Sequence, residues 1–71
     1  MAGLKKRSVN LAGHATSLAL EPEFWAVLDR AAAEEALSLS GLIARIDEGR
    51  AGRPLASACR VFALGRGTER R

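Results

Sequence analysis

Residues 16–43 read TSLALEPEFWAVLDRAAAEEALSLSGLI, and the spacing of their apolar positions changes at one point. Thr16-Ser17-Leu18-Ala19-Leu20 alternates, with Thr16, Leu18 and Leu20 on one side and Ala15, Ser17 and Ala19 on the other. A period of two is that of a half-buried strand. The alternation stops at Glu21-Pro22-Glu23. Pro22 suits a first helical turn, where its missing N–H has no partner to lose. The glutamates beside it complement the positive end of the helix dipole. Phe24, Val27, Leu28, Ala31 and Ala32 then follow at helical spacing, which predicts a helix over 22–36 with one apolar stripe. Leu37-Ser38-Leu39-Ser40-Gly41 interrupts that stripe. Ser38 is a good N-cap, and Leu39, Leu42, Ile43 and Ile46 repeat at i, i+3, i+4 and i+7, predicting a second helix over 39–48.

Working outward, Ser8-Val9-Asn10-Leu11 also alternates, and Ala12-Gly13-His14-Ala15 separates it from the first strand read above. A positive φ at Gly13 would close a short hairpin; one long bent strand is the competing reading. On the other side, Gly49, Gly52 and Pro54 break the chain. A third helix is expected over 54–64, with Leu55, Ala58, Cys59 and Phe62 on one face and an end near Gly65. The expected organisation is a basic arm (1–7), one domain (8–64) and a loose basic tail (65–71).

The chain has 71 residues, 48% of them hydrophobic and 27% charged, a globular composition. A monomer of this size buries only about 60% of its unfolded surface, and small domains usually need a staple. Cys59 is the single cysteine and His14 the single histidine, so neither an internal disulfide nor a four-ligand zinc site is expected. Oligomerisation is the remaining device, and a homodimer is expected. No apolar run reaches the ~18 residues of a membrane span. The start Met-Ala-Gly-Leu-Lys-Lys-Arg lacks the apolar segment of a secretory signal. A lone cysteine fits a reducing compartment, so a cytoplasmic location is expected.

Charge is segregated. Residues 1–20 hold Lys5, Lys6 and Arg7 and no acid; residues 21–49 hold seven acids against two arginines; residues 50–71 hold six arginines against Glu69. Basic ends suit a polyanion, because each neutralised phosphate releases counterions.

A basic arm, a short strand or hairpin and two amphipathic helices, in that order, resemble the ribbon-helix-helix proteins. The residues that carry the likeness are Thr16–Leu20 as ribbon, Glu21–Ala36 as first helix and Leu37–Ile43 as turn and second-helix start. Lys6-Arg7-Ser8-Val9, Ala12-Gly13-His14, Leu20–Trp25 and Ala58–Phe62 are similar to a small bacterial subfamily with a third C-terminal helix. The resemblance implies an α+β, mostly helical fold: an intertwined homodimer with an antiparallel β-ribbon, extended to four strands if Ser8–Leu11 joins it, and three short helices per chain. It implies a dimer core of Leu18, Leu20, Phe24, Leu28, Leu42, Ile43 and Ile46. The implied function is a DNA-binding transcriptional regulator, a repressor by type. Its outward ribbon residues Ala15, Ser17 and Ala19 would enter the major groove, and the start of the second helix, Ser38, Leu39 and Ser40, would anchor a phosphate.

Lys5, Lys6 and Arg7 would clamp the DNA backbone, and Asn10 has the better chemistry for reading a base if its strand reaches the groove. Ala15 and Ala19 offer only methyl groups. The alternative is therefore a protein-interaction or antitoxin-like module with weak or no DNA reading. Partners are then DNA, further copies of the chain (a dimer, or higher oligomers on DNA) and a protein partner. Glu34 and Glu35 are adjacent, so on a helix they diverge. With no nucleophile–base pair, metal cluster or nucleotide loop, no enzyme activity, cofactor or metal is expected. Trp25 would pad the dimer interface or cover the third helix, His14 would stabilise the turn, and Cys59 would be a small buried hydrophobe. The third helix would pack on its own subunit or on the partner.

Overall fold

The two alternating segments around Gly13 form an antiparallel hairpin rather than one bent strand. The computed structural model describes residues 3–69, with side chains through residue 67. Strands β1 (Lys5–Leu11) and β2 (His14–Leu20) are followed by helices α1 (Pro22–Glu34), α2 (Leu39–Glu48) and α3 (Leu55–Glu69). The hairpin turns at Ala12 (φ 52°) and Gly13 (φ 83°). Two central residues with positive φ are what a two-residue turn needs to match the twist of its strands. The register pairs Leu11 with His14, Val9 with Thr16, Arg7 with Leu18 and Lys5 with Leu20. Opposed residues share a face, so the apolar sets of both strands point the same way, onto the helices. β1 begins earlier than the alternation of Ser8–Leu11 suggested: Lys5, Lys6 and Arg7 are strand rather than free arm. Met1 and Ala2 of that arm, and Arg70 and Arg71 of the tail, lie outside the described residues.

Helix α1 stops at Glu34, two residues short of expectation, because Ala36 takes the left-handed conformation (φ 57°). The Leu37 N–H donates to the Ala32 carbonyl at 2.9 Å and the Ala36 N–H to the Ala33 carbonyl at 3.2 Å, the pair of bonds of a Schellman cap. Glycine is the usual residue at that position, since an L-side chain in αL costs about 1–2 kcal/mol. Ala36→Gly is therefore expected to stabilise the fold by about 1 kcal/mol, read as a higher midpoint in urea. Helix α2 spans the expected residues. Its N-cap Ser38 accepts from the Gly41 N–H at 3.0 Å, and a Cβ on Gly41 would stand 3.2 Å from the Ser38 Oγ.

Helix α3 corrects two expectations. Pro54 precedes it as a cap, its carbonyl accepting from the Ala58 N–H at 2.9 Å. The helix also passes through Gly65 and Gly67 to Glu69, where a loose tail was expected. A glycine within a helix costs about 1 kcal/mol, and Arg66 offsets it. Its guanidinium bonds Glu35 at 2.8 Å and Glu34 at 2.9 Å, so the two diverging carboxylates meet on one arginine. Arg60 bonds Glu21 at 2.9 Å at the other end of α1. These arginines hold the carboxyls of Glu21 and Glu35 below the usual carboxylate range.

The core lies between the inner face of the hairpin and the three helices. Leu20, Leu28, Ile43 and Cys59 are fully buried, and Leu18, Leu42 and Ala63 nearly so. Five of the seven residues expected to need a second chain are thus covered within one, because α3 lays Cys59 and Ala63 against them. Phe24 and Ile46 stay half-buried at the margin. The stripe of α1 is also rotated from expectation: Trp25 is buried, while Phe24 and Val27 are half-buried. Trp25 is 4% exposed. It packs under β1 and donates its indole N–H to the Lys5 carbonyl at 2.8 Å.

Candidate nucleic-acid interface

The outward face of the hairpin follows from the register. Lys6 opposes Ala19, Ser8 opposes Ser17 and Asn10 opposes Ala15. All six side chains point away from the helices, and all but the half-buried Ala19 are exposed. Five of them, Lys6, Asn10, Ala15, Ser17 and Ala19, were sequence candidates. Ser8 was missed, although the alternation Lys6-Ser8-Asn10 was there to be extended back through the cations.

Lys5 and Arg7 belong to the opposite side. The Arg7 guanidinium bonds Asp29 at 3.1 and 3.4 Å and lies over the Trp25 ring, 4.6 Å from its centre. Its charge is spent within the fold, on the first helix. Lys5 stands at the start of the strand, exposed beside Trp25.

The start of α2 is docked onto the sheet. The Ser40 Oγ accepts from the backbone N–H of Asn10 at 3.0 Å. Its own O–H proton remains available to donate. The N–H groups of Leu39 and Ser40 have no hydrogen-bond partner among the described residues, whereas those of Gly41 and Leu42 are taken by Ser38. Free N–H groups at the positive end of a helix favour an anion. The three residues predicted to anchor a phosphate thus divide: Ser38 caps, Ser40 docks and can donate, and Leu39 contributes its backbone.

The hydrogen-bond parity of the hairpin exposes one more feature. A two-residue turn makes its flanking pair exchange both backbone bonds, and alternate pairs repeat this. The N–H and C=O groups of Ala15, Ser17 and Ala19 therefore line the outer edge of β2, unpaired among the described residues. On the outer edge of β1, Ser40 closes the Asn10 position.

Residues 4–66 match the profile of the ribbon-helix-helix domain. The chain belongs to the ribbon-helix-helix family. That family typically comprises DNA-binding regulators and antitoxins, and its domains are non-catalytic. No curated protein and no solved structure matches the chain. Among the described residues, no helix of this ribbon-helix-helix chain is long and apolar enough to cross a membrane.

Cys59 faces the core from α3, and burial pushes its thiol pKa up to about 11. The thiolate is the reactive form. A thiol reagent at pH 8 is expected to modify Cys59 only at the rate of unfolding, and denaturant should release full reactivity.

Proposed function

We propose that the chain is a homodimeric, cytoplasmic DNA-binding regulator whose exposed sheet face meets the major groove. The observation that carries this reading is the common face of Lys6, Ser8, Asn10 and Ser17, with the start of α2 fastened beside it through Ser40 and Asn10. The unpaired edge of β2 supports the dimer. Two copies about a two-fold axis satisfy each other's backbone groups there. Phe24 is an expected dimer-core residue with surface left to give a partner.

Such a dimer carries four strands in the order β1-β2-β2′-β1′. Strands lie about 4.8 Å apart, so the outer pair stands about 14 Å apart. The major groove is about 12 Å wide. The central pair then lies over the base edges with Ala15, Ser17 and Ala19, and β1 lies against the groove walls with Lys6, Ser8 and Asn10. The latter three meet phosphates, and the N–H groups of Leu39 and Ser40 take the next one out. Affinity then comes mostly from the backbone, with modest reading by Ser17.

The test is fluorescence anisotropy on two labelled duplexes, the chain's own promoter region and a scrambled control, at ~50 and ~200 mM salt. Salt-sensitive binding to both with a preference for the promoter is expected. No binding to either at the lower salt would overturn the regulator. It would favour the second reading, an antitoxin-like interaction module, which the bare methyl groups of Ala15 and Ala19 support.

A further inference from the structure

We propose that the cleft between the C-terminal half of α2 and α3 is a docking groove for an acidic, amphipathic segment of a partner protein. The cleft has a volume of about 370 Å³. Ile46, Val61 and Phe62 form its apolar floor, and Arg45, Arg50 and Arg53 stand around it; among the described residues no carboxylate lines it. Val61 is 51% exposed on α3.

The rim selects the occupant. Arg50 is held by Asp47 at 2.6 Å and by the Arg53 carbonyl at 2.8 Å, which fixes the loop between the helices. Arg45 shares Glu35 at 3.1 Å and keeps most of its side chain in solvent. The Arg53 guanidinium is exposed and makes no ion pair among the described residues. An uncharged hydrophobic segment would leave Arg53 unused, and a basic one would be repelled. Carboxylates match the planar fork of a guanidinium in two-point geometry, while apolar side chains on the same segment would cover Val61 and Phe62.

A nucleic acid suits the site less well, because its phosphates would use only the rim arginines and leave the apolar floor of Ile46, Val61 and Phe62 uncovered. The site also lies at the far end of α2 from Leu39 and Ser40. Ten residues of helix place the two ends about 15 Å apart, so DNA on the sheet would leave the groove open. Binding here is accordingly independent of the DNA reading, and either can fail without the other.

The test uses the full chain and two short labelled peptides: a leucine–glutamate amphipathic helix and its counterpart with lysine for glutamate. The acidic peptide is expected to bind, with NMR shift changes centred on Gly49, Val61 and Phe62, and the basic one to be rejected. Arg53→Glu and Val61→Asp should each weaken binding about tenfold or more. Both side chains are exposed, so thermal unfolding and duplex affinity should stay unchanged. Three results would overturn the proposal: no binding of the acidic peptide, equal binding of both peptides, or unweakened binding by the two variants. Displacement of the peptide by a DNA duplex would equally overturn it and return the groove to nucleic acid.

Discussion

Leu28→Ala is expected to leave the protein largely unfolded at physiological temperature. Leu28 is fully buried on α1, beneath the hairpin and against α2 and α3. Removing three carbons from such a site costs roughly 2–5 kcal/mol, the transfer of the lost atoms plus the cavity they leave. A chain of this length has roughly 4–10 kcal/mol in all, so the loss is a large share of the whole. In urea, with a slope of ~1 kcal/mol per molar for so small a domain, the midpoint should fall by at least ~2 M. Phe24→Ala is the informative companion. Phe24 is only half-buried within the chain, so its loss should cost less when the protein is dilute. If Phe24 also serves a second copy, its cost should grow with protein concentration, because dimer stability scales with protomer concentration. A large concentration-independent loss for Phe24→Ala would remove it from any interface.

The elements were legible because each rests on a short-range signal. The change of period at Pro22 and the Ser38 cap placed α1 and α2, and alternation with Gly13 placed the hairpin. The less legible parts depend on contacts distant in sequence. Nothing near Gly65 announces that Arg66 will find Glu34 and Glu35 thirty residues away, so a glycine-containing end reads as loose. Trp25 and Phe24 are neighbours, and only the seat of β1 on α1 decides which is buried. The core was expected to need two chains because two helices and a ribbon cannot close it; α3 covers five of its seven residues within one chain, through Cys59, which was expected to be buried, and Ala63, which the sequence did not single out. On the outward face, alternation located Ala15, Ser17 and Ala19, whereas Lys6 was picked out by its charge and Asn10 by its amide. Arg7, next to Lys6 in sequence, pairs instead with Asp29 on α1, a contact that charge alone gives no hint of.

Lys6 and Arg7 should therefore separate cleanly, despite being adjacent cations. Lys6 is exposed on the outward face, and a dimer presents two of them. Each phosphate contact contributes about 0.9 to the slope of log affinity against log salt, so Lys6→Ala should flatten that slope by about 1.8. Between ~50 and ~200 mM salt the affinity ratio of native to variant should then change by about tenfold, for promoter and scrambled duplexes alike. Melting should not move, since the side chain holds nothing in the fold. Arg7→Ala should do the reverse. Its pair with Asp29 is half-exposed and worth about 0–1 kcal/mol, and its stack on Trp25 adds about 0.5–1 kcal/mol. A loss near 1 kcal/mol lowers the melting temperature of a domain this size by about 4–8 °C, while the salt slope stays as in the native protein. Equal flattening by both variants would mean that Arg7 leaves Asp29 for a phosphate on binding, and that the DNA approaches the flank of the sheet beside Trp25 rather than its outward face.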